Sequence, residues 1–522
     1  MRYEVISHLT ACVQLYHSLI AFGIVVMFAA QTSNFEVREA TIEDIHAALR
    51  ARRLTCVQLV QKYLDRIDAY DKKGPAINAI ITINPNALVD ARLMDAEIAQ
   101  AGVIKPLHCI PMVVKDNFET VGLQTTAGSL SLAGWISHRD AFQVKKIREA
   151  GAIILAKTNM AEFAWSPVET VGSMLPGYTR NPYALNRVTA GSSGGTAAAV
   201  AASFATAGLG TDTGNSIRGP SSHNDLVGIR STMGLTSRSG IVPLNLMNDI
   251  GGPMARTVTD AVKVFDVIAG YDPEDAITES ARTRKDISYS AALIAGGLKG
   301  ARIGIARFIM RPTVDPDVVK LFNEALAVMQ RNGAVLVENF TIPGFDAVQT
   351  PAGCGISERF KFGLNDYLAS RDPAPPVKDL AEIIASRRFH PSIEVRMRNA
   401  EMSSVRPTSD AVCREAQQKR GEAVISAMAE ANVSAVVYPT WDNPPRLIGD
   451  LNTPAGDNSQ SLSPGTGFPA ITVPMGFVQD EFPSGITFFG REWSESTLIR
   501  LAYSYEQVAN HRRAPASAPP LR

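Results

Sequence analysis

The amino-acid sequence predicts a single large α/β domain with a mixed central β-sheet that helices cover on both faces. The first observation is composition. Apolar residues make up 45% of the 522 residues and charged residues 20%, as is typical of a globular chain with a large core. The second is order: short apolar runs alternate with amphipathic segments, and such strand–helix–strand units build a sheet with helices on both sides.

Helices are predicted where apolar residues recur at helical spacing behind a capping residue. Thr41, followed by Glu43 and Asp44, marks such a start, because its hydroxyl can accept a hydrogen bond from a free backbone N–H group. Asp315 with Pro316 marks another. Further helices are predicted after Leu54, from Asp140 to Gly151, over Thr196 to Ala207 and around Leu498.

Strands are predicted where short apolar runs lie between turn residues. One run, Pro111 to Val114, ends at Lys115. Residues 341–430 are less regular and carry many charges, so we expect helices and loops there. The other predicted strands are 76–83, 152–156, 301–308, 334–340, 436–439, 468–474 and 485–490.

Both ends of the chain are predicted to lie outside the domain, which spans residues 35–513. Residues 19–30 form a 12-residue apolar run that suits a signal-peptide core and is too short to span a bilayer alone. We interpret residues 1–34 as an overlong start or a dispensable leader of a cytoplasmic protein. The alternative is an exported, periplasmic or membrane-anchored protein held through residues 19–30. The Pro- and Ala-rich residues 514–522 are predicted to be disordered.

Charge and cysteine usage exclude several classes of protein. Lys plus Arg and Asp plus Glu both number 51, so no broad field attracts nucleic acid or an anionic membrane. The five cysteines are scattered and fit neither a disulfide framework nor a zinc ribbon. Cys109 is interpreted as a small buried apolar residue. The sequence has no Gly-Lys dipeptide of a phosphate loop and no His-Glu-x-x-His, so we expect no metal or cofactor.

The stretch from 190 to 220 has the most unusual composition in the chain, with glycines at 191, 194, 195, 208, 210, 214 and 219. Glycine in such numbers is disfavoured in an ordinary core, because it loses backbone entropy and buries no side chain. It can, however, let several backbone N–H groups point at one spot, as an oxyanion hole requires. Within this stretch, hydroxyl-bearing residues and the ion-pair candidates Asp212 and Arg218 flank the predicted helix.

Lys115 is the second chemical candidate. It follows a proline and three apolar residues, at the end of a predicted buried strand. Burial lowers the pKa of a lysine, and a neutral amine is a competent general base near neutral pH. Taken alone, the residue also fits a strand-end lysine whose amine reaches water.

Several separated motifs, in order from residue 36 to 513, resemble those of the amidase signature family. The segment IPMVVKDN around Lys115 is similar to the family's lysine motif, and Gly191–Gly195 and Gly210–Arg218 are similar to its two serine motifs. GFPAITVPMGF and GITFFGREWSE follow near the C-terminus. The C-terminal motifs are most similar to those of bacterial aryl acylamidases, peptide amidases and related broad-range amidases.

The resemblance implies a Ser–cisSer–Lys triad. Ser216 would be the nucleophile that becomes acylated, Ser192 would sit in a cis peptide and relay the proton, and Lys115 would be the base. Ser193, Asp212 and Arg218 would support the site. The oxyanion would be held by the backbone N–H groups of Thr213, Gly214, Asn215 and Ser216.

The implied function is hydrolysis of a small or aryl-substituted carboxylic amide to a carboxylic acid and an amine or ammonia. Esters and carbamates are expected side substrates. The resemblance implies no metal, no cofactor, no nucleic acid and no obligatory protein partner, in a monomer or homodimer. One departure is Asn215, where the family usually has glycine. Asparagine tolerates a left-handed backbone, so the turn can survive while the shape of the oxyanion hole changes.

Two alternatives from other classes stay open at this point. Gly191, Ser193 and Gly195 match the nucleophile elbow of an α/β-hydrolase esterase, although no predicted strand precedes them. The chain is also similar to amide-transferring subunits that work within a tRNA-dependent amidotransferase complex. A third possibility, an inactive binding scaffold, conflicts with the retention of all three triad positions.

Overall fold

The structure is a computed structural model that describes residues 35–165, 169–284, 287–407, 409–450, 452–453 and 456–521. The predicted leader, residues 1–34, lies outside the described residues. Within them, none of the helices combines the length and apolar composition that a bilayer span requires.

The described strands form one mixed 11-stranded sheet in the order β1-β3-β2-β4-β6-β5-β10-β11-β9-β7-β8. Strands β2 to β4 run parallel, as do β7 to β9, and the remaining pairs are antiparallel. Their bounds are β1 Ile80–Ile83, β2 Pro111–Lys115, β3 Ile153–Thr158, β4 Ala207–Asp212, β5 Val227–Arg230, β6 Ile250–Ala255, β7 Arg302–Ile305, β8 Val335–Val337, β9 Ala435–Pro439, β10 Ala470–Val478 and β11 Phe482–Phe489.

The helices lie between and beside these strands. The α-helices are α1 Ile42–Arg50, α2 Cys56–Tyr70, α3 Ala87–Ala101, α4 Phe142–Glu149, α5 Gly194–Ala201, α6 Arg218–His223, α7 Val258–Ile268, α8 Pro316–Arg331, α9 Ile356–Ala369, α10 Leu380–Ser386, α11 Glu394–Glu401, α12 Ala411–Glu430, α13 Ser463–Thr466 and α14 Glu495–Ala509. Short 3-10 helices cover Leu130–Leu132, Glu162–Ala164, Ala276–Arg284, Tyr289–Ala292, Arg307–Ile309 and Pro391–Ile393.

Both faces of the sheet are covered, as the sequence predicted. Along β9, Ala435 and Val437 pack into the main core with α8 and α14, whereas Val436 and Tyr438 pack into a second cluster with α12. Successive side chains of a strand point to opposite faces, so the two clusters lie on opposite sides of the sheet. This confirms the predicted fold class. The predicted caps are also present, since Thr41 caps α1 and Asp315 caps α8.

The glycine-rich stretch differs from the prediction. The helix expected over Thr196 to Ala207 is α5, which ends at Ala201, and the run from Ala207 to Asp212 is the buried strand β4. A Cβ at Gly208 would lie 2.5 Å from Cγ2 of Thr196. The small residues therefore allow α5 to pack directly on β4, an advantage that periodicity in the sequence does not reveal.

The parallel pairing of β2 and β4 positions the candidate residues. Val113 and Val114 pair with Gly208 and Leu209, so the carboxyl ends of both strands reach the same edge of the sheet. Lys115 ends β2, and the turn after β4 carries Ser216. Two motifs that lie about a hundred residues apart in the chain thus meet in space.

Cysteine pairing corrects the expectation that no disulfides form. Cys56 is bonded to Cys109 and Cys354 to Cys413, while Cys12 lies outside the described residues. The partners are 53 and 59 residues apart in sequence. Tertiary structure, not local spacing, brings these sulfur atoms together. Cys109 is fully buried, as predicted, but is paired rather than free.

The C-terminal segment corrects the expectation of disorder. Residues 514–521 lie against the domain, and Ala518 is buried. The buried guanidinium of Arg66 donates hydrogen bonds to the carbonyl oxygens of Ala518 at 2.9 Å and Pro519 at 2.8 Å. The Ser517 hydroxyl donates to the carbonyl of Pro182 at 2.6 Å. A polar anchor, which composition does not reveal, orders this Pro- and Ala-rich segment.

Removing residues 514–522 is expected to lower the free energy of unfolding by about 1–3 kcal/mol, because the Arg66 guanidinium would lose two of its four backbone acceptors. Denaturant titration of the truncated and full chains measures this difference. Leu521→Ala is the matched control, because Leu521 is 41% exposed and should change little. Equal stability of the truncated and full chains would contradict the anchoring role.

Candidate active site

Lys115 lies at the centre of the site and is fully buried. Its Nζ atom is 2.6 Å from Oγ of Ser192 and 2.7 Å from Oγ1 of Thr211. Among the described residues it forms no ion pair with a carboxylate. The amine therefore has hydroxyl partners that suit both its neutral and its charged form.

The surroundings of Lys115 lower its pKa to about 7. Burial is the main cause, because a low-dielectric interior disfavours the ammonium form. The carboxylates of Asp212 and Asp249 oppose this shift but do not cancel it. A lysine with this pKa is substantially neutral near physiological pH, as a general base must be.

Ser192 is held beside Lys115 by a close-packed turn. The peptide bond between Gly191 and Ser192 is cis, as the resemblance implied. A Cβ at Gly194 would overlap the hydroxyl oxygens of Thr170 and Thr189, so no larger residue fits at this position. The close approach of these backbones, together with the start of α5, presents the Ser192 hydroxyl to the amine.

Ser216 lies in the turn between β4 and α6, on the wall of a cavity of about 660 Å³ that Ser192 also lines. No hydrogen bond joins the two serine hydroxyls, both of which lie in the described chain, and the Ser216 hydroxyl donates instead to Oδ1 of Asn215 at 3.5 Å. Other residues that line this cavity, called the active-site cavity below, are Trp165, Glu169, Thr213, Gly214, Leu244, Ile356, Arg396, Trp441, Arg446, Asp457 and Gln460.

Four consecutive backbone N–H groups line the same cavity. They belong to Thr213, Gly214, Asn215 and Ser216, and no acceptor among the described residues takes a hydrogen bond from them. The next two N–H groups, of Ile217 and Arg218, are bonded to Asp212. The turn therefore leaves four backbone donors beside the cavity without an acceptor among the described residues.

The turn is held from behind by a buried charge cluster. Arg218 pairs with Asp212 at 3.0 Å, and Arg230 pairs with it at 2.9 Å. Burial alone would raise the pKa of Asp212, but the two guanidinium groups outweigh it and lower the pKa to about 2. Asp212 is thus an anion whose charge is compensated, and it anchors the backbone on which Ser216 lies.

Asn215 does not need the left-handed backbone that its sequence position suggested, since its φ is negative. Its side chain lines the active-site cavity, as expected of a residue that replaces glycine at this turn. The amide oxygen of Asn215 is the acceptor for the Ser216 hydroxyl. It therefore adds a polar contact to the site.

Ser193 has a different environment from its neighbour Ser192. It is fully buried, donates to the Thr211 carbonyl at 3.1 Å and accepts from the Thr211 N–H at 3.3 Å. With both hydrogen-bonding roles filled by backbone, its hydroxyl ties α5 to β4. In the described chain no strand leads directly into Ser193, so the geometry of a nucleophile elbow is missing here.

Sequence reasoning missed several residues of the site. Thr211 accepts hydrogen bonds from Lys115 and from the Asn117 amide at 3.1 Å, and so fixes the position of the amine. Asp249 accepts from the Thr213 hydroxyl at 2.5 Å and steadies residues 213–216, called the donor turn below. Thr211 lies within the Gly210–Arg218 motif, but only the fold reveals the partners of Thr211 and Asp249. The pair Glu169–Arg446, at 2.5 Å on the cavity wall, carries no local signal at all.

Comparison with known proteins places the chain in a family. The amidase family model matches residues 58–499. The chain is 35% identical to "Probable amidase At4g34880" of Arabidopsis thaliana, with 93% of each chain covered. It is 34% identical to a glutamyl-tRNA(Gln) amidotransferase subunit of Trichlorobacter lovleyi, covering 91% of this chain and 98% of that one.

Among solved structures, native peptide amidase from Stenotrophomonas maltophilia superimposes with a TM-score of 0.80 at 33% identity. The match covers 92% of this chain and 99% of the peptide amidase. The shared fold, the family model and the full-length relatives agree with the motif resemblance. The chain is therefore a member of the amidase signature family.

Proposed function

We propose that the protein hydrolyses carboxylic amides through an acyl-enzyme on Ser216, with Ser192 as proton relay and Lys115 as base. The observation that supports this most directly is the buried Lys115 amine, 2.6 Å from the Ser192 hydroxyl, with a pKa of about 7. A neutral amine can take a proton from Ser192, which can in turn take one from Ser216.

In the first half-reaction, Ser216 Oγ attacks the amide carbon as its proton moves to Ser192 and the Ser192 proton moves to Lys115. The N–H groups of the donor turn hold the oxyanion. The C–N bond then breaks, and the Lys115 proton returns through Ser192 to the leaving amine. In the second half-reaction, water attacks the acyl group by the same relay and releases the acid.

The relay needs Ser192 and Ser216 to come into hydrogen-bond contact, which a substrate can bring about. Catalytic hydrogen bonds are often long without substrate and tighten in the reacting complex. A carbonyl oxygen bound by the donor turn would displace the Ser216 hydroxyl from its 3.5 Å contact with Asn215. The hydroxyl would then turn towards Ser192 on the same cavity wall.

The proposed substrate is a small or aryl-substituted amide. Trp165, Leu244, Ile356 and Trp441 offer apolar contact on the wall of the active-site cavity, and its volume of about 660 Å³ admits such a molecule. No metal, cofactor or protein partner enters the proposed mechanism.

Amide transfer within a tRNA-dependent complex is the second candidate, because a glutamyl-tRNA(Gln) amidotransferase subunit matches 91% of the chain at 34% identity. The two functions differ in what the isolated protein does. The purified chain, assayed alone against anilides, peptide amides and simple amides, should release acid and amine without tRNA. Turnover only in the presence of tRNA together with a partner protein would favour the transfer function.

The rate of hydrolysis is expected to follow deprotonation of Lys115. Since burial lowers its pKa to about 7, kcat/KM should rise with pH through that value and fall about tenfold per pH unit well below it. A kcat/KM profile from pH 5 to 9 measures this limb. Lys115→Arg, which stays protonated, should lose the limb with nearly all activity; a wild-type rate independent of pH would oppose Lys115 as the base.

Ser216→Ala should reduce kcat by about 10⁴-fold or more, because no other hydroxyl replaces the attacking oxygen. The matched control is Ser193→Ala, one residue from the relay serine. Among the described residues its hydroxyl bonds only to the Thr211 backbone, so its loss should affect stability more than kcat. Steady-state assays on one anilide compare the two variants. The nucleophile assignment is wrong if Ser193→Ala, and not Ser216→Ala, abolishes turnover.

A further inference from the structure

A second cavity of about 460 Å³ adjoins the active-site cavity. The two cavities share Thr213, Gly214, Ile356 and Gln460 as lining residues. Residues 345–358, called the wall segment below, separate them. Its first part, through Cys354, lines the second cavity, and Gly355 to Glu358 line the active-site cavity.

The wall segment has little regular structure of its own before α9 begins at Ile356. Its internal backbone bonds are single turns, such as Val348 N–H to the Phe345 carbonyl at 3.3 Å. Stability therefore has to come from contacts to other elements. A segment of this kind can change its conformation at low cost when those contacts are released.

Several of the contacts that hold the wall segment lead to α12. Arg420 of α12 donates to the Val348 carbonyl at 2.7 Å and to the Thr350 hydroxyl at 3.1 Å. The single covalent link among the described residues of the wall segment is the disulfide from Cys354 to Cys413, near the start of α12. Reduction of this bond therefore removes the covalent part of the attachment between the wall segment and α12.

The Cys354–Cys413 bond is accessible to a small reagent, whereas the other disulfide is not. Both of its cysteines line the second cavity, and Cys354 is half-buried. Cys56 and Cys109 are both fully buried. The Arg359 guanidinium lies 3.3 Å from Cys413 Sγ, and a cation at that distance stabilises a departing thiolate.

We propose that Cys354–Cys413 is a thiol–disulfide exchange site, with a dithiol reductant as its reaction partner, that controls the binding of extended amide substrates. The inference rests on the proposed amidase function and specifies how the same cavity is regulated. Reduction removes the covalent link between the wall segment and α12 and leaves the partly exposed hydrogen bonds from Arg420 to join them. Lys115, Ser192 and Ser216 lie outside the wall segment.

The exchange balances in two steps. One thiolate of the reductant attacks Cys354 Sγ, the sulfur–sulfur bond breaks, and Cys413 leaves as a thiolate beside Arg359. The second thiol of the reductant attacks the mixed disulfide and releases Cys354. Two electrons and two protons pass to the cysteines, and the reductant leaves as its cyclic disulfide.

The effect of reduction on KM should depend on the length of the substrate. An extended amide that reaches the wall segment must order it on binding when the bond is reduced, which weakens affinity. A small amide that contacts only the turn around Ser216 does not order the wall segment, so its affinity should not change. Reduction should therefore raise KM for the extended substrate about fivefold and leave its kcat within about twofold, since the reacting groups do not move.

The test compares propionamide with an N-acyl dipeptide anilide before and after brief exposure of the full chain to dithiothreitol. The KM of the anilide should rise and that of propionamide should not, and reoxidation should reverse the change. Cys354→Ser/Cys413→Ser should have the raised KM from the outset and no response to the reagent. Cys56→Ser/Cys109→Ser is the matched control and should respond like the parent chain.

Two further readouts do not depend on turnover. Alkylation after brief reduction, followed by mass spectrometry, should label Cys354 and Cys413 and spare Cys56 and Cys109. Limited proteolysis within residues 345–358 should become faster at the same time. Labelling of the buried pair instead, or unchanged KM values and cleavage rates with the accessible pair labelled, would overturn the exchange-site proposal. Failure to hydrolyse either amide would count against the amidase proposal, while these readouts still decide the exchange.

Discussion

The site depends on the burial of one amine that lacks a carboxylate partner among the described residues. Lys115 ends β2 inside the protein, and its contacts are hydroxyl groups of Ser192 and Thr211. A nearby anion could have kept the amine charged. Asp212 is such an anion, but Arg218 and Arg230 already compensate its charge. The protein thus keeps a structural carboxylate near Lys115 without forming an ion pair between the two.

The glycines of α5 and β4 allow the close packing that places Ser192 beside Lys115. Without side chains at Gly208 and Gly210, β4 can approach Thr196 of α5 and Ser193 closely enough for the Ser192 turn to meet the end of β2. The turn after β4 then leaves four backbone N–H groups beside the cavity without a bonded acceptor among the described residues. Glycine destabilises an isolated helix or strand because it loses more backbone entropy on folding than other residues. Here the tertiary contacts that the glycines permit offset this loss.

Prediction from the sequence succeeded where the signal is local and failed where it is not. The caps at Thr41 and Asp315 and most strands follow from short-range patterns. Strand β4 was not predicted, because its glycine-rich sequence resembles a turn or a small-residue helix. Prediction also missed the two disulfides and the ordered C-terminal segment. Each depends on a partner more than fifty residues away in sequence, such as Arg66 for Ala518.

The sequence by itself determined the family, the fold class and the identity of Lys115, Ser192 and Ser216 as candidates, because motifs and periodicity are properties of the chain. Tertiary structure decided which groups surround them. Thr211 and Asp249 acquire their roles, and the amine its lowered pKa, only when parallel strands align and exclude water. Burial and distance are properties of the folded molecule, and the chemistry of a buried lysine depends on both.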